Sequence, residues 1–247
     1  MKKFVGQAKT DQYFVGCTGQ TVFLCDTTGA EIAQFKDIKY GYMPLFAPDG
    51  DRFIVKSTAG WMAAYSAEKR ELIAKWPLAR KDSQDHGFCF SSDGKYLFNI
   101  EMAAKTVSTE LAVYDASTLQ ETARYFSGKA DLLYNSVEPC ESGVCLLGMT
   151  RSEAGTLCFV EKLVDGQIVR RRELSEAEHR ELQIYATLKL YGFTQNIIEL
   201  YRPLYEMELM LRGITGQMPD WSALGTLPDI RLEEILENGF VSPFFRD

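Results

Sequence analysis

Short apolar runs rich in aromatic and β-branched residues recur between turn-forming residues over the first two thirds of the chain. Residues 13–17 and 21–25 flank Thr18-Gly19-Gln20, which predicts a hairpin, and Asp26-Thr27-Thr28-Gly29 supplies a turn before a third strand at 31–35. Residues 3–6 offer a further strand ahead of them. A second unit predicts strands at 42–46, 52–56, 61–65 and 71–76, where Pro77 stops it because proline cannot donate to a ladder. The third runs 87–90, 95–100, 110–114 and 119–126, and a weaker fourth runs 135–137, 144–149, 156–161 and 167–172. Phe46-Ala47-Pro48-Asp49-Gly50 and Phe90-Ser91-Ser92-Asp93-Gly94 hold the same place in units two and three, and Gly143 would hold it in the fourth. Four strands recurring at roughly 40 to 50 residues are the signature of a blade-like repeat.

After residue 174 the apolar period changes from 2 to 3.6. Ser175 and Glu178 have the form of a capping box, which predicts a helix over 176–191 with Gly192 as its stop. Thr194 can cap a second helix, 195–212, ended by Gly213, with Pro203 expected to kink or divide it. Ile197, Leu200, Tyr201, Leu204 and Leu211 form one apolar face there. Ile198, Tyr205, Leu209 and Met210 widen it, which implies burial on two sides. Asp229 can cap a third helix, 230–238, and residues 240–245 are too apolar for a frayed tail. The chain therefore divides into 1–174 and an α-helical C-terminal region, 175–247.

Charge narrows the functions. The net charge is −7, and residues 175–247 carry 12 acidic side chains against 6 basic ones, so no electrostatic footprint for nucleic acid exists. The start of the chain lacks the continuous apolar core of a signal peptide, and no run reaches membrane-spanning length, so a cytoplasmic location without membrane association is expected. Six cysteines fall inside apolar runs without a Cys-x-x-Cys pair, which predicts reduced core thiols and no zinc site.

The stretch Phe90-Ser91-Ser92-Asp93-Gly94-Lys95-Tyr96-Leu97, preceded by His86-Gly87, resembles the start of a blade in WD40-like and related bacterial β-propellers. Leu111-Ala112-Val113-Tyr114-Asp115 and residues 22–29 are similar to the later strand of such a blade and its turn. The resemblance covers about residues 11–174. The Trp-Asp dipeptide of that family is Tyr114-Asp115, Cys25-Asp26 and Tyr65-Ser66 here, and where the family usually closes a ring of six to eight blades this chain supplies about four. A mainly β fold is implied, a small or incomplete β-propeller of about four four-stranded blades followed by helices. Fewer blades leave edges to cover, so the helices or the terminal segment are expected to pack on a blade edge or complete a blade. Two copies are expected to associate, through blade edges or through the C-terminal helices.

In such a propeller the loops 39–44 and 79–86 precede innermost strands and share a face, where family members commonly bind partners. Tyr40, Tyr42, Arg80, Lys81 and His86 are the binding candidates on that face. His86 beside Asp85 has the look of a base, yet its family position makes a structural hydrogen bond. His179 is expected to be solvated, Asp49, Asp93, Asp115 and Glu161 to serve turns, and Arg170-Arg171-Arg172 to protect an edge. No nucleophile elbow, phosphate loop or His-Glu-x-x-His motif occurs. The expected function is a non-catalytic protein-protein interaction or scaffold module with a protein partner and without cofactor or metal. The alternative is a propeller-type hydrolase or lactonase, which would need polar side chains converging from different blades, where Leu45, Phe46, Phe88 and Phe90 are on offer. A carbohydrate or peptide binder would show an aromatic-lined pocket.

Overall fold

The computed structural model describes residues 3–80, 86–214, 219–226 and 229–245. The first repeat forms β1 (Gly6–Lys9), β2 (Tyr13–Cys17), β3 (Val22–Asp26) and β4 (Glu31–Phe35). The second forms β5 (Gly41–Phe46), β6 (Arg52–Ser57), β7 (Trp61–Ser66) and β8 (Glu71–Pro77), and the third β9 (Phe88–Phe90), β10 (Tyr96–Met102), β11 (Thr109–Asp115) and β12 (Glu121–Tyr125). The fourth forms β13 (Leu132–Cys140), β14 (Gly143–Ser152), β15 (Gly155–Val164) and β16 (Gln167–Leu174). Each repeat is an antiparallel meander of four strands in chain order, because each hairpin is short enough to return to its neighbour. The protein is therefore mainly β, four four-stranded sheets in a propeller-like arrangement followed by helices.

Local turn chemistry shapes the first three sheets. Gly50 and Gly94 have φ of 76° and 71°, a left-handed conformation that glycine adopts without a Cβ penalty. Asp49 Oδ1 accepts from the Asp51 and Arg52 amides, and Asp93 Oδ1 from the Lys95 amide. The later turn is capped by Asp26 in the first sheet and Asp115 in the third. Ser66 holds that place in the second sheet, and Asp51 reaches over to accept from Ser66 Oγ and the Glu68 amide. The fourth sheet departs from the repeat. Gly143 pairs directly with Cys140 across a two-residue loop, and β13 and β14 run on well beyond the predicted strands.

Cores form between consecutive sheets. Val15, Leu24, Phe53 and Tyr65 fill the first junction, where Phe53 stacks on Tyr65 at 5.1 Å. Ile54, Met62 and Ala64 meet Phe88, Leu97 and Tyr114 at the second, and Ile100, Leu111, Tyr134, Leu146 and Phe159 fill the third. Lys56, fully buried in β6, crosses the second junction and donates to the carbonyls of His86 (2.8 Å) and Ile100 (3.0 Å). All six cysteines are buried thiols outside any disulfide. Glu161, expected at a turn, is buried in mid-strand, where it accepts from Tyr134 Oη and pairs with Arg171. Arg172 points the other way and donates to the Leu236 carbonyl, so the arginine run divides between two faces as strand alternation requires.

The helices are α1 (Glu176–Leu190), α2 (Gln195–Leu211) and α3 (Leu232–Asn238). The Ser175/Glu178 capping box is present, and Thr194 caps α2. Pro203 does not divide α2: the helix gives up one backbone bond, to the carbonyl of the exposed residue Glu199, and continues. α3 starts later than the capping pattern predicts. Asp229 is engaged by Tyr185 and Lys189, and the Leu232 amide is met by Glu138 from β13. His179 is not solvated. It is 4% exposed on the face of α1 turned inward, and burial, with Arg180 adding to it, lowers its pKa to about 4.

α1 and α3 pack on the fourth sheet. The turn between α1 and α2 docks instead on the chain entering β1: the Gln7 amide donates to the Tyr191 carbonyl, Thr194 Oγ1 to Val5 and Asn196 Nδ2 to Phe4. The helical region thus links the fourth sheet back to the first. Phe244 is buried against Tyr205 of α2 (4.5 Å) and Trp221 (5.5 Å), so this end of the terminal segment packs within the helical region. No helix among the described residues is long and apolar enough to cross a membrane.

Candidate functional site

β1 lies against β5 and β9 against β13, which makes these four the innermost strands. Around them opens a cavity of about 800 Å³, within the range of small-ligand and peptide sites. Gln7, Ala8 and Lys9 line it from β1, Pro44 and Leu45 from β5, Phe88 and Cys89 from β9, and Asn135 to Pro139 from β13. Thr187, Lys189 and Leu190 of α1 close one side, with Phe193, Leu224 and Asp229 beyond them.

Three charged groups of this cavity, Lys189, Glu138 and Asp229, are engaged with one another. Lys189 Nζ lies 2.7 Å from Glu138 Oε1 and 2.9 Å from Asp229 Oδ2. Burial by itself would lower the pKa of this ammonium, but the two carboxylates outweigh it and hold the pKa above the ordinary lysine value. Glu138 also accepts from the Leu232 amide (2.8 Å), and Asp229 from Tyr185 Oη (3.0 Å). Arg231 is turned onto the Pro139 carbonyl at 3.0 Å. These contacts tie β13, α1 and the start of α3 together.

Apart from Lys9, what remains in the wall is apolar or uncharged polar: Phe14, Leu45, Phe88, Val137 and Phe193 beside Ser136, Thr187 and Asn135. Asn135 Oδ1 is buried and has no hydrogen-bond partner among the described residues, an acceptor left unsatisfied at a cost. The Cys89 thiol is pushed well up by burial, above all, and by the Glu138 charge, which keeps it protonated at neutral pH and a poor nucleophile. Among the described residues no group of His, Cys, Asp and Glu has metal-binding geometry.

The sequence-predicted residues lie elsewhere. The Tyr40 carbonyl accepts from Thr58, just past β6, whose Lys56 holds the His86 carbonyl. Arg80 reaches the carbonyls of Ala103 and Thr106, just past β10. Tyr40, Arg80 and His86 therefore gather around the adjoining ends of β6 and β10, and Tyr40 is 53% exposed there. Tyr42 is half-buried in β5 with its ring over Gly19, and Lys81 lies outside the described residues. Tyr40, Tyr42, Arg80 and His86 do not line the cavity. Conversely, Asn135, Glu138, Lys189 and Asp229 carry no local motif. Their association depends on a strand, a helix end and a loop from three parts of the chain.

Two further buried carboxylates look like acid-base candidates and are structural. Glu101 accepts from Asn99 and Tyr114 and pairs with Arg124, as Glu161 does with Tyr134 and Arg171. Burial first, and then the carboxylates, push both tyrosine hydroxyls up, so they stay protonated donors.

No protein-family model matches the chain, and no curated protein does. Among solved structures, the chain is similar to the hydrazine synthase of Kuenenia stuttgartiensis, with a TM-score of 0.51 and 11% identity over 67% of this chain and 51% of that one. The chain thus spans about half the length of this neighbour, and likeness at such identity bears on the fold alone, which is propeller-like.

Proposed function

We propose that the protein is a non-catalytic binding module built on WD40-like blades, and that its axial cavity takes an apolar-anchored peptide segment of a protein partner. One observation carries the reading: Lys189, Glu138 and Asp229 are spent on one another, and Phe14, Leu45, Phe88, Val137 and Phe193 line much of the remaining wall. A peptide supplies what such a wall can bury, an apolar side chain on an uncharged segment. Tyr40 and Arg80 belong to the same proposal as partner contacts outside the cavity, since tyrosine offers large contact area for little entropy loss.

The hydrolase or lactonase alternative asks for a nucleophile or base at the axis. Lysine held as a cation and a protonated thiol are poor candidates, and the polar groups come mainly from β13 and the helical region, not from several sheets. The test is selection from a random peptide library on the native protein, followed by calorimetric titration with Ala186→Trp, which fills the cavity from a half-exposed helix position. Selected peptides should share an apolar anchor and bind the filled variant about tenfold or more weakly, a difference of about 1.4 kcal/mol. Equal binding to both proteins would sink the reading, and turnover of ester or lactone substrates lost in Ala186→Trp would favour the alternative.

A further inference from the structure

α2 has two apolar faces, and the fold uses only one. Ile198, Tyr205 and Leu209 are buried against the helical core. On the other side Leu200, Leu204, Met207, Met210 and Leu211 are 51 to 81% exposed, with Pro203 exposed among them. At 3.6 residues per turn this second set falls within roughly a third of the helix circumference, and no charged side chain interrupts it. Glu199, Glu206, Glu208 and Arg212 flank it, as a polar rim would.

Its spacing reads the same in both directions. From Leu200 to Leu204 is four positions, to Met207 three, and to Leu211 four again. A two-fold axis crossing the helix between Leu204 and Met207 sets Leu200 against Leu211 of a second copy, and Leu204 against its Met207. Each side chain then meets an apolar partner from the same surface, which is what an isologous interface requires. The exposed set presents roughly 600 Å² of surface, at the upper end for a monomer's largest apolar patch. Two copies would bury up to about 1,200 Å², the lower edge of stable interfaces.

We propose that two copies of this chain pair through antiparallel α2 helices, with Leu200, Leu204, Met207 and Leu211 as the seam. α2 contributes nothing to the axial cavity, so this pairing stands or falls independently of the peptide-binding reading. The test is sedimentation equilibrium on the 247-residue chain up to about 100 µM, a concentration that populates even weak dimers. A dimer is expected. Leu204→Glu, at an exposed position where folding can be checked by circular dichroism, should weaken it by about a hundredfold or more. A wild-type monomer at that concentration, or a Leu204→Glu dimer of unchanged affinity, would overturn the proposal and leave the stripe to a different partner. Orientation is read by disulfide trapping: a Leu200→Cys chain mixed with a Leu211→Cys chain should cross-link faster than either alone. Faster self-linking of Leu200→Cys would mean parallel helices and would equally overturn it.

Discussion

The sheets and the helical region are held by bonds of different reach. In the sheets, the carboxylates of the tight turns act on residues two to four positions away, as Asp26 does on Thr28 and Ala30 and Asp115 on Ser117 and Thr118. Each strand pairs with its successor, and the longer links of Asp51, Glu101 and Glu161 stay among the strands and turns of the sheets. In the helical region, Thr194 bonds to Val5, Asn196 to Phe4, Lys189 to Glu138 and Tyr185 to Asp229. A repeat built on local bonds can be recognised copy by copy. A region built on distant bonds is recognisable as helical, while its place is set only once the sheets exist to receive it.

The largest expected effect tests whether the two regions are one cooperative unit. Tyr205, fully buried against Phe244 and Trp221, sits in a cluster that runs without a break into the sheets. Tyr205→Ala should cost about 4 kcal/mol, as truncation of a large buried aromatic does. In urea, far-ultraviolet circular dichroism and tryptophan fluorescence should shift together. Two separate transitions would show that the helical region unfolds by itself, and would break the picture of a shared core.

A somewhat smaller effect is expected from pH. His179 has a folded pKa of about 4 against an unfolded value of 6.5. Between these values the unfolded chain binds a proton that the folded chain refuses, so stability rises with pH there. The contribution is fully present above pH 6.5 and is lost as pH falls toward 4, up to about 3 kcal/mol in all. His179→Leu should flatten the stability profile across that window. A variant whose acid sensitivity matches the wild type would contradict the burial argument.

The smallest effect sharpens the comparison itself. Gly94 and Gly192 have nearly equal φ, 71° and 69°. A Cβ at Gly94 would meet only Pro48 at ordinary contact distance, so Gly94→Ala should cost about 1 kcal/mol of backbone strain. A Cβ at Gly192 would collide with the Gln7 carbonyl and force the α1–α2 turn off β1. Gly192→Ala should therefore cost about 1 to 2 kcal/mol more, since it adds displaced hydrogen bonds to the same strain. Equal costs in thermal denaturation would mean that this docking contributes little.

Legibility follows the same division. The Asp-Gly turns, the capping box at Ser175 and the Thr194 cap act within a few residues, and each is where the pattern predicts it. Asp229 misleads for the complementary reason: its residue type suits a cap, but Tyr185 and Lys189 compete for it from 44 and 40 positions away, and they win. His179 reads as solvated because its sequence neighbours are charged, whereas its burial depends on which face of α1 meets the core. The cavity was the least legible feature. The partner-face candidates Tyr40, Arg80 and His86 gather at one end, while Asn135, Glu138, Lys189 and Asp229 meet at the axis without any shared motif.

The sequence by itself determined the strand repeat, its turns and the two principal helices, because period, capping and left-handed glycine positions are written in neighbouring residues. Only the tertiary structure decided which charges neutralise one another at the axis, how the helices link the fourth sheet to the first, and which side of α2 is left uncovered. The breadth of apolar positions on α2 announced two faces to be buried; packing covers one of them. Apolar burial has no direction encoded in sequence, so the choice of face waits for the surface against which the helix lands.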